Sequence, residues 1–372
     1  MTPLRPSDEP VARLVRAAGG DAGDRDAAVA ALGAAAVAGL LVEEVLARCD
    51  PLPADRPVRL GLDLLHGDLV LHHGLTVAAG GVTAEAGAPD GPAGRIRCSL
   101  TGLLRALYGT RRGLPDVEVE MCWPPLEAVP GWIGAASRAT ECVLGAFGPG
   151  DAGLDRLAVR YGSDKWGALH WYTPHYDRHF AALRDEPVRL LEIGVGGYAD
   201  PDAGGASLRM WQRYFRRGLI YGLDVFAKPG VTGPRIRVLR GDQADPDLLA
   251  EIGRGLGPFD IVIDDGSHVS RDVLASLRGL FPHLRPGGLY AVEDLQTSYW
   301  PAFGGGPPDG PAETTVGFLA ALVDGLHHQE RGGEPGPFDR TVAGLHCYRG
   351  LAVVEKGANT GPGAPAWVPR EA

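Results

Sequence analysis

The stretch that most restricts the fold is Phe259–His268, which reads FDIVIDDGSH. Phe259, Ile261, Val262 and Ile263 are apolar; two carboxylates, a Gly-Ser turn and a histidine follow. A short apolar run closed by Asp-Asp-Gly has the form of a buried parallel strand ending at its carboxyl edge. In open α/β sheets that edge is where ligands bind. A second run, Leu289–Asp294 (LYAVED), repeats the pattern and also ends in two acids. If the two strands are neighbours, Asp264, Asp265, His268, Glu293 and Asp294 share one rim.

The surrounding chain has the rhythm that such strands need. Strands are expected at Val188–Val195, Leu219–Val225 and Ile236–Leu239, with helices at Ser207–Phe215, Asp245–Arg254, Ser270–Leu280 and Val316–His327. Pro286-Gly287-Gly288 turns the chain into the second acidic strand, residues 302–313 form a Gly/Pro-rich loop over the carboxyl edge, and Val342–Tyr348 with Leu351–Lys356 makes a closing hairpin. Alternating units of this kind predict an α/β fold with a doubly wound parallel sheet. Gly148-Pro149-Gly150 divides the chain into residues 1–150 and 151–372. The first part mixes a helix at Asp24–Cys49, strand character over Val58–Ala78 with turns at Gly67-Asp68 and His73-Gly74, and a loop or hairpin connection at Gly80–Gly94. It continues with a strand at Ile96–Cys98, a helix capped by Ser99, a strand at Val117–Cys122 and a helix at Gly131–Phe147. It reads as a smaller α+β domain for packing or oligomerisation.

Composition removes several function classes. A formal charge of -10, with no basic run longer than Arg111-Arg112, argues against a nucleic-acid partner. Lys165, Lys228 and Lys356 are the only lysines, which we read as coding bias; no Gly-Lys-Ser/Thr phosphate loop is present. The five cysteines are widely spaced without a CxxC pair, so they read as reduced thiols of a cytoplasmic protein, not zinc ligands. The most apolar stretch, Ala27–Leu46, contains Glu43 and Glu44 and reads as a packed helix, with no membrane partner.

The first strand of the second part ends Glu192-Ile193-Gly194-Val195-Gly196-Gly197-Tyr198. Glycines there let backbone approach a ligand closely, although the spacing is GxGG and not GxGxxG. Asp224, at the next strand end, suits ribose hydroxyls. Asp242-Gln243, at the third, suit an adenine edge. This order is that of adenosyl-cofactor sites, and the lack of an arginine clamp favours S-adenosylmethionine over NAD(P). Asp265, Glu293 and Asp294 are hard oxygen ligands, better matched to Mg²⁺ than to zinc. Spacing alone also allows Asp264 to cap a turn and Glu293 to be a solvated strand end. His268, beside these acids, is placed for a general base. The aromatic segment from His170 to Phe180 fits either core or pocket wall.

LEIGVGGY, SLRMW, YGLD, GDQ, PFDIVIDDGSH, LRPGGLYAVEDL and YWPAFGG together resemble the metal-dependent sugar O-methyltransferases of antibiotic biosynthesis, the mycinamicin-type macrolide 2-O-methyltransferase family. The resemblance is dense from Arg156 to Asn359. It implies a Rossmann-like class I methyltransferase domain behind an N-terminal auxiliary domain, assembled as a homo-oligomer, a dimer or tetramer. Glu192, Gly194, Gly196, Gly197, Tyr198, Ser207, Asp224, Asp242, Gln243 and Asp265 would line the S-adenosylmethionine site, with Ser163 of the GSDK segment closing over it. Asp265, Glu293 and Asp294 would bind Mg²⁺, His268 would be the base, and the acceptor would be a small glycosylated molecule. A catechol-type O-methyltransferase, an NAD-dependent sugar oxidoreductase and a non-catalytic assembly scaffold are the rival readings.

Overall fold

The computed structural model describes residues 9–50, 56–110, 115–125, 128–148, 150, 153–167, 169–308, 313–331, 333–365 and 367–369. Three helices open the chain: α1 (Pro10–Gly19), α2 (Ala22–Leu32) and α3 (Ala34–Arg48). The single helix expected over Asp24–Cys49 is therefore broken, at Gly33, whose φ of 86° no helix accommodates, and the two pieces meet at 107°. Among the described residues no single helix is long and apolar enough to cross a membrane; α2 and α3 pass that test only as this bent pair.

β1 (Val58–His66), β2 (Leu69–Ala78), β3 (Gly81–Ala86) and β4 (Gly94–Ser99) follow, then α4 (Leu100–Tyr108), β5 (Val117–Met121) and α5 (Val129–Phe147). They build a five-stranded sheet in the order β3-β2-β1-β4-β5. Gly67-Asp68 turns the chain as expected, whereas His73-Gly74 lies inside β2, and Gly80–Gly94 contains β3. Pairing is antiparallel except between β1 and β4. Ser99 caps α4 by accepting from the Gly102 N–H at 3.0 Å.

The second part begins with α6 (Leu154–Tyr161) and α7 (Thr173–Phe180), the latter formed by the aromatic segment. Then come β6 (Arg189–Ile193), α8 (Ala206–Tyr214), β7 (Leu219–Asp224), β8 (Ile236–Arg240), α9 (Pro246–Leu256), β9 (Phe259–Asp264), α10 (Ser270–Leu280), β10 (Leu284–Val292), α11 (Thr315–Leu326), β11 (Val342–Tyr348) and β12 (Leu351–Lys356). The sheet order is β11-β12-β10-β9-β6-β7-β8; β12 pairs antiparallel with both neighbours and the rest of the described pairing is parallel.

Strand side chains alternate between two helix layers. Leu190, Ile220, Ile261 and Ile263 pack with Leu157, Tyr176 and Trp211 of α6, α7 and α8. Leu191, Tyr221, Val262 and Tyr290 face α9 and α10, in a core continuous with that of the first part. The two parts are also tied by a buried ionic knot. Glu44 of α3 receives Arg235 Nη2 at 2.9 Å and Arg48 Nε at 2.7 Å, and Arg235 donates on to the Gln212, Phe215 and Gly218 carbonyls. Parallel ladders hold β6, β9 and β10 side by side, and their carboxyl ends open at the point where strand order reverses.

Candidate functional site

The glycine turn after β6 is shaped by close approach. A Cβ on Gly194 (φ 89°) would lie 1.9 Å from the Asp265 carbonyl oxygen, so only glycine lets the β6 and β9 tips touch. On Gly196 (φ 79°) a Cβ would meet nothing nearer than Gly204 Cα at 3.9 Å, which leaves an open cradle. Lys228 Nζ pins the loop from behind, donating to the carbonyls of Tyr198, Asp200 at 2.8 Å and Ala203 at 3.3 Å. Tyr198 itself stands 87% exposed at the cradle mouth.

Around the cradle, Glu192 is fully buried; its Oε2 accepts from Ser207 Oγ at 2.8 Å, while Oε1 lies 3.2 Å from Lys165 Nζ. Asp224 accepts from the Val195 and Phe226 N–H groups at 2.9 and 2.8 Å, bracing the loop. Asp242 caps the turn through the Ala244 N–H at 2.8 Å. Gln243 is buried and engaged at both ends of its amide, donating to Asp264 at 3.2 Å and accepting from the Ser267 N–H at 2.7 Å. In this geometry Gln243 braces the Asp265–Ser267 turn and its side-chain amide does not extend into the cleft. Ser163 is buried next to Lys165, whose N–H lies 3.4 Å from Ser163 Oγ.

The rim acids divide into two kinds. Asp264 does not lie on the rim: it is 1% exposed and points under the sheet edge, where Ser276, Tyr290 and Gln243 donate to it. Burial pushes its carboxyl up to about 6. Strand alternation forces this, because successive residues point to opposite faces and only one of the Asp-Asp pair can face the cleft. Asp265 takes that place. Its Oδ2 receives Lys165 Nζ at 2.6 Å. At the β10 tip, Glu293 Oε1 receives Lys165 Nζ at 2.7 Å and Tyr176 OH at 2.5 Å, and Oε2 makes no hydrogen bond among the described residues. Burial first, and then Asp265, push the Glu293 carboxyl well up. Asp294 Oδ1 accepts from Tyr172 OH at 3.0 Å and Gln296 at 2.9 Å, and its Oδ2 lies 3.3 Å from His268 Nε2.

Two trios of ligating atoms, each within 4.8 Å, share Asp265: Asp265–His268–Asp294, partly open, and Glu192–Asp265–Glu293, buried. Hard, oxygen-rich ligand sets of this kind fit a divalent cation such as Mg²⁺. The vacant side of Gly196 fits a ligand drawn close to backbone. Strain gathers here too. Tyr198, His268 and Asp294 are the non-glycine residues with positive φ among those described, a conformation that costs about 1–3 kcal/mol each and concentrates at functional sites. Tyr172 and Tyr176, from the aromatic segment that fits core or pocket wall, both reach the acids, whereas nothing in the linear pattern singles out Lys165 or Lys228. The scarcity of lysine was the available signal.

A seven-stranded sheet of this order, with a glycine cradle at its switch point and an acid rim beside it, defines a class I S-adenosylmethionine-dependent methyltransferase with a place for a divalent cation. Comparison with known proteins agrees. A family model described as MycE methyltransferase N-terminal matches residues 11–115. The chain is 45% identical to demethylmacrocin O-methyltransferase of Streptomyces fradiae, over 97% of this chain and 94% of the relative. It is 44% identical to mycinamicin VI 2''-O-methyltransferase of Micromonospora griseorubida, over 96% and 93%. The fold superposes with a TM-score of 0.92, at 42% identity and 98% and 97% coverage, on the MycE methyltransferase from the mycinamycin pathway in complex with Mg, SAH and mycinamycin VI. The chain belongs to this family of sugar O-methyltransferases of antibiotic biosynthesis, and it is a methyltransferase that uses S-adenosylmethionine and Mg²⁺.

Proposed function

We propose that this enzyme methylates a sugar hydroxyl of a glycosylated antibiotic precursor through the rim formed by the β9 and β10 tips. The observation that carries the reading is the double use of Asp265. Its backbone closes against the glycine cradle, and its carboxylate joins the acids of the neighbouring strand. Donor and cation are thereby held side by side. The catechol-type and NAD-dependent readings are not favoured, since the relatives are named for sugar substrates.

In this reading Gly194, Gly196, Gly197 and Tyr198 cradle the donor, with Glu192, Ser207, Asp224, Asp242, Gln243, Asp265 and Ser163 around it. Asp224 and Gln243 act mainly by holding the loops in shape, as their hydrogen bonds support. Asp265, Glu293 and Asp294 would hold Mg²⁺; Lys165 and Tyr176 engage Oε1 of Glu293 and leave its other oxygen for the ion. When bound, S-adenosylmethionine supplies the methyl group and Mg²⁺ lowers the pKa of a ligated sugar hydroxyl. His268 takes the hydroxyl proton on Nε2, the ring nitrogen 3.3 Å from Asp294 Oδ2, and the Asp294 carboxylate stabilises the imidazolium that results. The strand tips fix these groups before the acceptor arrives, which is the main contribution of a rigid rim to an in-line displacement.

We further propose a division near residue 150 and a homo-oligomer assembled through the first part. Exposed Leu69, Val119 and Trp123 on that part support association, and light scattering of the purified protein tests it. The five cysteines, all free thiols, support a cytoplasmic site of action. The acceptor assignment is tested with labelled methyl donor and three acceptors: a glycosylated macrolide, its aglycone and a catechol. Label in the sugar of the first alone is expected; label in the catechol or aglycone overturns it.

A further inference from the structure

Lys165 is the least expected feature of the site. It follows the left-handed Gly162 that ends α6, and its carbonyl is clamped by the Tyr172 N–H at 3.0 Å. The side chain is fully buried and ends among three carboxylates: Asp265 at 2.6 Å, Glu293 at 2.7 Å and Glu192 at 3.2 Å.

The three partners of Lys165 are also the buried trio whose oxygens lie close enough to hold a metal ion. The second trio shares Asp265 but faces outward, with His268 22% and Asp294 15% exposed at the side chain. A divalent ion in the inner trio would sit beneath the rim, out of reach of a sugar. One in the outer group would meet acceptor hydroxyls beside His268.

We propose that Lys165 is a positioning residue: its ammonium holds the inner oxygens of Glu192, Asp265 and Glu293, and thereby confines the divalent ion to their outer, substrate-facing side, where Asp265, Asp294 and the remaining oxygen of Glu293 would receive it. A fixed ammonium is suited to the inner position because it is a compact charge with three donors and needs no coordination sphere. The proposal rests on the metal reading above.

The test is calorimetric titration of the full-length, SAH-loaded protein with MgCl₂, with Mn²⁺ counted independently by spin resonance. Wild type is expected to bind one ion per chain. Lys165→Met, neutral and of similar length, is expected to bind two, with turnover reduced at least tenfold and not restored by excess Mg²⁺. The double variant Lys165→Met/Glu192→Gln, which dismantles the inner trio, is expected to return to one ion. In the wild-type background Glu192→Gln is expected to leave Mg²⁺ affinity within twofold, a measurement that holds even if Lys165→Met does not fold. One ion in Lys165→Met, no ion in it, or a tenfold loss of affinity in Glu192→Gln each overturns the positioning role. Absence of any ion in wild type overturns the metal reading instead.

Discussion

Gly194→Ala puts the junction between donor and cation under direct strain. The new Cβ would stand 1.9 Å from the Asp265 carbonyl oxygen, whereas such contacts essentially never fall below 3.0 Å. One of the two tips must therefore retreat by about 1.1 Å. Alanine at φ 89° adds roughly 1–2 kcal/mol of backbone strain. A shift of that size in a positioning group costs about 10²-fold in turnover. Because Asp265 carries the displacement, Mg²⁺ affinity and donor affinity should both weaken. Gly196→Ala is the control, since its Cβ enters the open cradle and meets no backbone of the β9 tip. It should weaken S-adenosylmethionine and leave Mg²⁺ affinity near wild type. Calorimetry with each ligand, alongside methyl transfer read by mass, separates the two. If Gly194→Ala binds Mg²⁺ as wild type does and turns over within a fewfold, Asp265 does not link the two sites.

Two further perturbations address the base and the join between the two parts. His268→Ala should lose at least ~10²-fold in turnover while donor affinity holds, the lower end of what a general base contributes; turnover within a fewfold of wild type would remove that assignment. Glu44→Gln should cost about 3–5 kcal/mol at pH 7, because it leaves Arg235 and Arg48 buried without their partner. Burial alone would raise the Glu44 carboxyl, but the two arginines override burial and hold it at about 2, against 4.5 unperturbed. A depressed acid stabilises above its unfolded pKa and loses that contribution as pH falls toward the folded value. The gap to Glu44→Gln should therefore narrow by about 2 kcal/mol between pH 7 and pH 3 in urea unfolding; a gap that does not change with pH would contradict the assignment.

Much of this fold is written locally. The parallel strands around Phe259–Asp264 are buried on both faces, so their near-continuous apolar runs mark them, and the order of the helices between them follows. The rim acids and His268 were visible for the same reason, since a strand tip is where an apolar run turns polar. What the linear pattern concealed is direction. The Asp-Asp pair offers two equal candidates until the twofold alternation of the strand sends Asp264 into the core. Nor does the linear pattern show that Gln243, an amide suited to adenine, also ties Asp264 to the Ser267 N–H. β3 was hidden among glycines because its partner, β2, and not its own composition, defines it.

The lysines carry a different lesson. In a chain that otherwise uses arginine, Lys165 and Lys228 both occupy enclosed positions, one among carboxylates and one among loop carbonyls. Lys356 likewise donates to the Pro282 and Leu284 carbonyls at 2.7 Å. At Lys165 a compact ammonium with three donors meets three carboxylates at once. Lys165 and Asp265 stand a hundred positions apart in the chain, a separation that no spacing rule reads.

Methyl transfer at this rim depends above all on a cation held by the two strand tips. Its most direct test is methyl transfer by EDTA-treated protein, with the labelled product counted before and after Mg²⁺ is restored. The arrangement of Asp265, Glu293 and Asp294 predicts no product without the ion, recovery when it is added, and no recovery in Asp265→Asn. Full turnover by metal-free enzyme, or normal Mg²⁺ activation of Asp265→Asn, would contradict it.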